Sequence, residues 1–199
     1  MRYLFILILC AIISCDNSDT YNTETTEISL VKGNTHLKDG NYTEALNFFT
    51  EIITGKNTYT NLDQAYIGRG YAKLKLSFIH SAITDFKKAL ELDPLNISAN
   101  AGLAISLFVT GQFSDALTES NNVLLKNNNY IYNAIRTINN KDLHLINAQV
   151  YLHRGEFKNS FNEIKAGLKV QLDYTEDDPL LVIKLIQTIK ELTSNHLSQ

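Results

Sequence analysis

Residues 65–96 read AYIGRGYAKLKLSFIHSAITDFKKALELDPLN, and residues 97–125 read ISANAGLAISLFVTGQFSDALTESNNVLL, with the same order of small and large side chains. Ala82 and Ala116 stand 34 residues apart, as do Phe86 and Ser120, Ala89 and Val123, and Ser77 and Gly111. A period of this length means a supersecondary unit that cannot bury its apolar face alone and must stack on its neighbours. Working outward, an earlier copy at 31–53 aligns Ala45 with Ala82 at a distance of 37, the extra residues falling in the Gly55–Asn61 turn. A later copy at 142–168 aligns Ser160 with Ala116 at 44, the extra residues falling between Lys126 and Lys141.

Within each copy the apolar spacing is helical and the breaks are chemical. The pattern predicts helices over 26–39, 42–54, 61–76, 79–93, 96–110, 113–126, 141–154 and 157–171. Gly40, Gly111 and Gly155 fall at the turn inside a pair, where a positive φ is cheap only for glycine. Pro94 cannot continue a helix, and Gly70 and Ala82 let two helices approach closely. A last helix over 178–194 opens with Asp178 as N-cap and Pro179 at the first helical position. Its Leu181, Val182, Leu185, Ile186, Ile189 and Leu192 share one face, the pattern of a helix that caps a stack.

These residues resemble the tetratricopeptide repeat (TPR). In the second copy Tyr66, Gly70, Ala82, Phe86, Ala89 and Pro94 fall at the family's aromatic, small and proline signature positions. The resemblance implies an all-α fold, an α-solenoid of about four TPR hairpins (26–59, 63–96, 97–130 and 141–174) closed by the capping helix. The copies depart from the pattern at Ile52 and Val123, where a small residue is preferred, and at Ser160 and Gly167, which replace alanines. The segment 127–140 is an insertion, read as either an extra helical turn or an exposed contact loop.

The chain has 199 residues, 9 Gly, 2 Pro and no Trp, too few turn-formers for a sandwich or barrel, which agrees with an α-rich fold. A formal charge of −3 supplies no positive field for phosphates, so nucleic acid is not an expected partner. Segment 1–14, MRYLFILILCAIIS, carries Arg2 and then eleven apolar residues, about half of what a membrane-spanning helix needs. It is read as a signal peptide. Ser14-Cys15 at the change to polar sequence resembles a bacterial lipoprotein signal. That resemblance implies cleavage after Ser14, lipid on the Cys15 thiol, a polar tether over 15–25, and a place in the bacterial cell envelope, with inner or outer membrane open. Two or three acyl chains suffice for a stable anchor.

No catalytic signature is present: neither a nucleophile elbow, a zinc-binding H-E-x-x-H nor a phosphate loop. The five His are scattered, so no metal, cofactor or enzymatic activity is expected. What the resemblance implies instead is a concave groove lined by the first helix of each pair, receiving a protein or peptide. Its positions carry over to Asn34, Leu37 and Lys38, then Ile67, Tyr71, Leu74 and Lys75, then Ile105 and Phe108, and finally Gln149, Leu152 and His153. Asn34, Lys38, Tyr71, Lys75 and Gln149 are the preferred contacts, while Leu37, Leu74, Phe108 and Leu152 could equally pack between hairpins. The family's clamp for a terminal carboxylate is disfavoured, because Leu30, Gln64, Gly68, Ser98 and Gly102 occupy its other positions. The favoured function is therefore a membrane-anchored scaffold for envelope-complex assembly. The alternatives are a self-associating structural lipoprotein or a non-catalytic subunit of an envelope enzyme complex.

Overall fold

The computed structural model describes residues 26–55, 60–135 and 138–197. The signal segment 1–14 and the tether 15–25, Cys15 included, lie outside the described residues. Nine helices are described: α1 (26–38), α2 (Tyr42–Thr54), α3 (Leu62–Lys75), α4 (Ile79–Leu92), α5 (Ile97–Val109), α6 (Phe113–Lys126), α7 (Asn140–His153), α8 (Phe157–Asn162) and α9 (Leu181–Leu197). Up to α7 each boundary falls within one residue of the sequence expectation. The helices pair as α3/α4, α5/α6 and α7/α8, and α1 packs on α2 through Gly33 against Phe49 and His36 against Phe48. The first helices of successive pairs also touch, α3 on α5 and α5 on α7. The result is an α-solenoid with α1, α3, α5 and α7 as its inner layer.

The intra-hairpin turns follow from backbone conformation. Gly40, Gly111 and Gly155 adopt φ of 78°, 79° and 73°. In the second pair Ser77 takes the same left-handed turn at φ 64°, a conformation disfavoured for a residue with a Cβ. Helix starts are held by side chains where the sequence allows: the Asn96 side chain accepts from Ser98 and Ala99 N–H, and Asn139 with Asp142 forms a capping box.

Stacking is an aromatic-into-glycine device. Phe49 of α2 is wedged between Gly33 on α1 and Gly68 on α3, and Phe86 of α4 between Gly70 on α3 and Gly102 on α5. A Cβ at Gly68 or Gly102 would overlap the facing ring, and one at Gly70 would come within 2.8 Å of it. Both rings are fully buried. One continuous core runs from Leu30 to Val150. A second joins Leu145 and Ala148 on the far side of α7 to Phe161 and Ile164, and to Tyr174, Leu181, Leu185 and Ile189 from the C-terminal segment.

Two expectations are corrected. The fourth pair's second helix, expected over 157–171, is α-helical only to Asn162; Glu163–Gly167 form a π-helical turn, and Lys169 leaves the helix at φ 56°. The wider turn brings the Glu163 carboxylate to His144 and Asn147 on α7, and Gly167 leaves the room that the His144 ring fills. The capping helix starts at Leu181 rather than 178, because Asp178 and Pro179 form a turn in which the Asp178 side chain accepts from Leu180 N–H at 2.8 Å and from Lys184 Nζ at 2.8 Å. Its buried edge is Leu181, Leu185 and Ile189, while Ile186 faces outward. Of the two alternatives left open for the insertion, neither describes it fully: its described residues 127–135 and 138–139 form no helix, and Ile131 and Asn139 form an isolated antiparallel bridge.

Candidate functional site

The insertion closes the middle of the concave face. Tyr130, Ala134, Ile135 and Ile138 are buried in the first core, among residues of α3 and α5. Tyr132 lies over the Tyr71 ring, centroids 4.0 Å apart and planes 23° from parallel, and Phe86 meets the Tyr71 ring edge-on at 5.0 Å. The Tyr71 hydroxyl donates to the Ser98 carbonyl at 2.8 Å, which leaves the Tyr130 hydroxyl, 3.2 Å away, to donate to Tyr71. Burial pushes the phenol pKa of Tyr71 well above its ordinary value, and raises those of Tyr130 and Tyr132 as well.

Tyr71, preferred as a partner contact, is therefore corrected to a core residue with no exposed surface. Ile67 is corrected in the same way at 1% exposed, and Leu37, also 1% exposed, takes the packing role that was left open for it. For Tyr71 the reason is a contact 59 residues away in sequence that no helical period encodes. Leu74, Ile105 and Phe108 are half-buried against the first core, and Leu152 against the second. Gln149 is half-buried and donates to the Leu145 carbonyl, while His153 is exposed with its ring 4.8 Å from Phe113. Lys75 is exposed at the end of α3, beyond the insertion.

Asn34 and Lys38 behave differently. They are exposed on α1 and line a cleft of about 410 Å³ between that helix and the insertion. Its floor is Gln64 and Ser98, near the starts of α3 and α5, and its far wall runs from Ile131 to Ala134. Asn34, Gln64, Asn133, Thr35 and Ser98 supply amides and hydroxyls; Val31 and Ile131 supply apolar surface; Lys38 is the one ionic lining residue. The cleft can hydrogen-bond a peptide and attract an anionic group.

Two polar clusters lie outside the cleft and were not singled out in the sequence. Asp85 on α4, 2% exposed, accepts a forked pair of hydrogen bonds from Arg69 at 2.7 and 2.8 Å, and meets Lys73 Nζ at 2.7 Å. This bolts α3 to α4. Under α7, His144 pairs with Glu163 at 2.7 Å and with the Asn128 side chain at 3.1 Å, and Asn147 reaches Asn121 and Glu163. The buried Asp85 had one available signal, an acid on the apolar face of a helix whose neighbour carries Arg69 and Lys73. The His144 cluster depends on the π-helical turn and had none. Among the described residues, no three His, Cys, Asp or Glu side chains are grouped to hold a metal ion, and no helix is long and apolar enough to cross a membrane.

Paired helices, an inner layer of first helices and the aromatic wedges define this as an α-solenoid of the TPR type. Solved structures share it: a MamA point mutant superposes with a TM-score of 0.62 at 15% identity, covering 88% of this chain and 92% of that one. A tetratricopeptide repeat protein from Parabacteroides merdae gives 0.60 at 12% identity, covering 87% and 63%. A thermophilic TPR protein in Thermus thermophilus gives 0.56 at 18%, covering 84% and 82%. At these identities the likeness is one of fold. No protein-family model matches the chain. Among curated proteins, Sperm-associated antigen 1 of Rattus norvegicus is 36% identical over 93 residues, 47% of this chain and 10% of that protein. DnaJ homolog subfamily C member 7 of Mus musculus is 32% identical over 131 residues, 65% of this chain and 24% of that protein. The chain thus spans a quarter or less of the length of these relatives.

Proposed function

We propose that this chain is a lipid-anchored scaffold of the bacterial cell envelope that holds a protein or peptide partner on its concave face and carries out no catalysis. The observation that carries the reading is the cleft between α1 and the insertion, lined by amides, hydroxyls and one lysine on a TPR-type solenoid. Asn34 and Lys38 are its contact residues. Lys75, Gln149 and His153 lie along the same inner layer beyond the insertion and extend the surface for a longer partner. The anchor rests on the Cys15 sequence alone, and assembly of an envelope complex is the role such an arrangement suits.

Two measurements test it. Cys15→Ala should move the protein from the membrane to the soluble fraction; an uncleaved species that stays on the membrane defeats the anchor. Crosslinking in intact cells should trap a protein whose yield falls when Asn34→Ala and Lys38→Glu are combined and is unchanged by Lys87→Ala on the outer layer. A yield indifferent to the cleft defeats the scaffold reading. One observation favours a second reading: Leu180, Ile183 and Ile186 leave an apolar strip exposed at the outer side of α9, which suits self-association through the cap. Sedimentation of the full chain, with and without Ile183→Lys, decides that.

A further inference from the structure

The insertion does more than fill the groove, because its backbone is left half-paired. Tyr132 N–H donates to the Ile138 carbonyl at 2.9 Å and Asn140 N–H to the Tyr130 carbonyl at 2.8 Å, so Ile131 and Asn139 form the wide pair of a short antiparallel ladder. In such a pair the central residues' own N–H and C=O point away from the partner strand. Among the described residues, Ile131 accordingly has no backbone hydrogen-bond partner. Residues 138–140 run into α7, with Asn139 as its N-cap. The free edge at Ile131 therefore faces away from α7, on the side where the cleft opens toward α1.

This edge is held firmly. Tyr130 and Tyr132 point down onto Tyr71, which fixes the strand from beneath, and by alternation the Ile131 side chain points up, 54% exposed. Across the cleft Val31 is 65% exposed, so two apolar side chains face each other without covering one another. Lys38, about two turns further along α1, has no ion pair among the described residues. A rigid strand edge with a free donor and acceptor is a template for another strand.

We infer that the edge at Ile131 receives an extended peptide segment of the partner as an added β-strand, with an apolar side chain between Val31 and Ile131 and an acidic side chain against Lys38. The inference rests on the scaffold reading and specifies it: the partner offers an unfolded stretch rather than a helix, because a helix has no free backbone N–H and C=O in mid-segment to pair with Ile131. Two main-chain hydrogen bonds form, Ile131 N–H to a peptide carbonyl and a peptide N–H to the Ile131 carbonyl.

The test uses a displayed library of random octapeptides selected on the full chain. The tightest peptide is then resynthesised with single backbone N-methyl groups at each position. Selected sequences should carry an apolar residue and an acid. N-methylation at one position should weaken binding about tenfold or more, the loss of a hydrogen bond and the room for it, while the adjacent positions change it less than about threefold. Lys38→Glu should reduce affinity for the acidic peptide about tenfold, and Ile131→Pro, which removes the donor, should abolish binding with the circular dichroism melt unchanged. Failure to select any binder, a flat N-methyl scan, or peptides that bind as helices overturns the strand addition. If the scan is flat while partner crosslinking still depends on Asn34 and Lys38, the strand addition falls and the scaffold stands. If crosslinking is also indifferent to the cleft, both fall.

Discussion

Gly102→Ala reverses a general rule. In the interior of a helix, replacing glycine by alanine stabilises by about 0.8–1 kcal/mol. Gly102 is in the interior of α5, yet a Cβ there would land on the Phe86 ring. That ring cannot step aside: it is fully buried, edge-on to Tyr71 at 5.0 Å, and its other face is against Gly70. Over-packing costs about 1–3 kcal/mol, and expelling the ring altogether would cost about 3–5. Set against the propensity gain, the expected outcome is a net loss of about 2 kcal/mol, or a melting temperature about 4–8 °C lower for a folded unit of this size. Urea denaturation followed by far-ultraviolet circular dichroism measures it. Phe86→Leu in the same chain should relieve the clash, so that adding Gly102→Ala to it costs little or stabilises, a coupling of about 2 kcal/mol or more. A single Gly102→Ala variant more stable than the wild type by about 1 kcal/mol refutes the wedge as the device that sets hairpin spacing.

Other outcomes follow from the same contacts. Tyr132→Ala should cost about 2–4 kcal/mol and uncover Tyr71; the chain has no Trp, so a rise in acrylamide quenching of tyrosine emission reports it directly, and unchanged quenching counts against the stack. Ser77→Gly should raise stability by about 0.5–1 kcal/mol, because the left-handed turn at φ 64° then carries no Cβ, and a destabilised variant would show that turn to be misassigned. Tyr71, Tyr130 and Tyr132 hold raised phenol pKa values, so folding is favoured fully below the ordinary tyrosine pKa and loses that share as pH rises above about 10. In a titration at 295 nm these three should ionise only as the protein unfolds. The Asp178 carboxyl is held below its ordinary value by Lys184 and the Leu180 N–H, so its contribution is present above the unfolded carboxyl's pKa and lost as pH falls through the folded value. Asp178→Asn should remove that acid-side dependence from the unfolding of α9, read by hydrogen exchange.

How much of this was legible depends on how far apart the interacting residues lie in the chain. Ala82, Ala116, the turn glycines and Pro94 act on neighbours within one hairpin or the next, so their spacing alone determines helix, turn, helix and the intent to stack; the boundaries from α1 to α7 follow from it. The 34-residue period carries that information because each unit meets the same surroundings as the one before. The exposed positions of Asn34 and Lys38 on α1 follow from the repeat's own geometry, and both line the open part of the hollow. The buried position of Tyr71 does not follow from it. Its surroundings are supplied by the one segment that breaks the period, and a residue at an exposed repeat position becomes core once Tyr130 and Tyr132 fold across it. Ile131's unpaired edge and the π-helical turn under His144 likewise arise from contacts that no local pattern records. Sequence by itself determined the stacked hairpins; only the tertiary structure decided which part of their hollow remains open, because closing it depends on a long-range encounter between two irregular pieces of chain rather than on a repeating local preference.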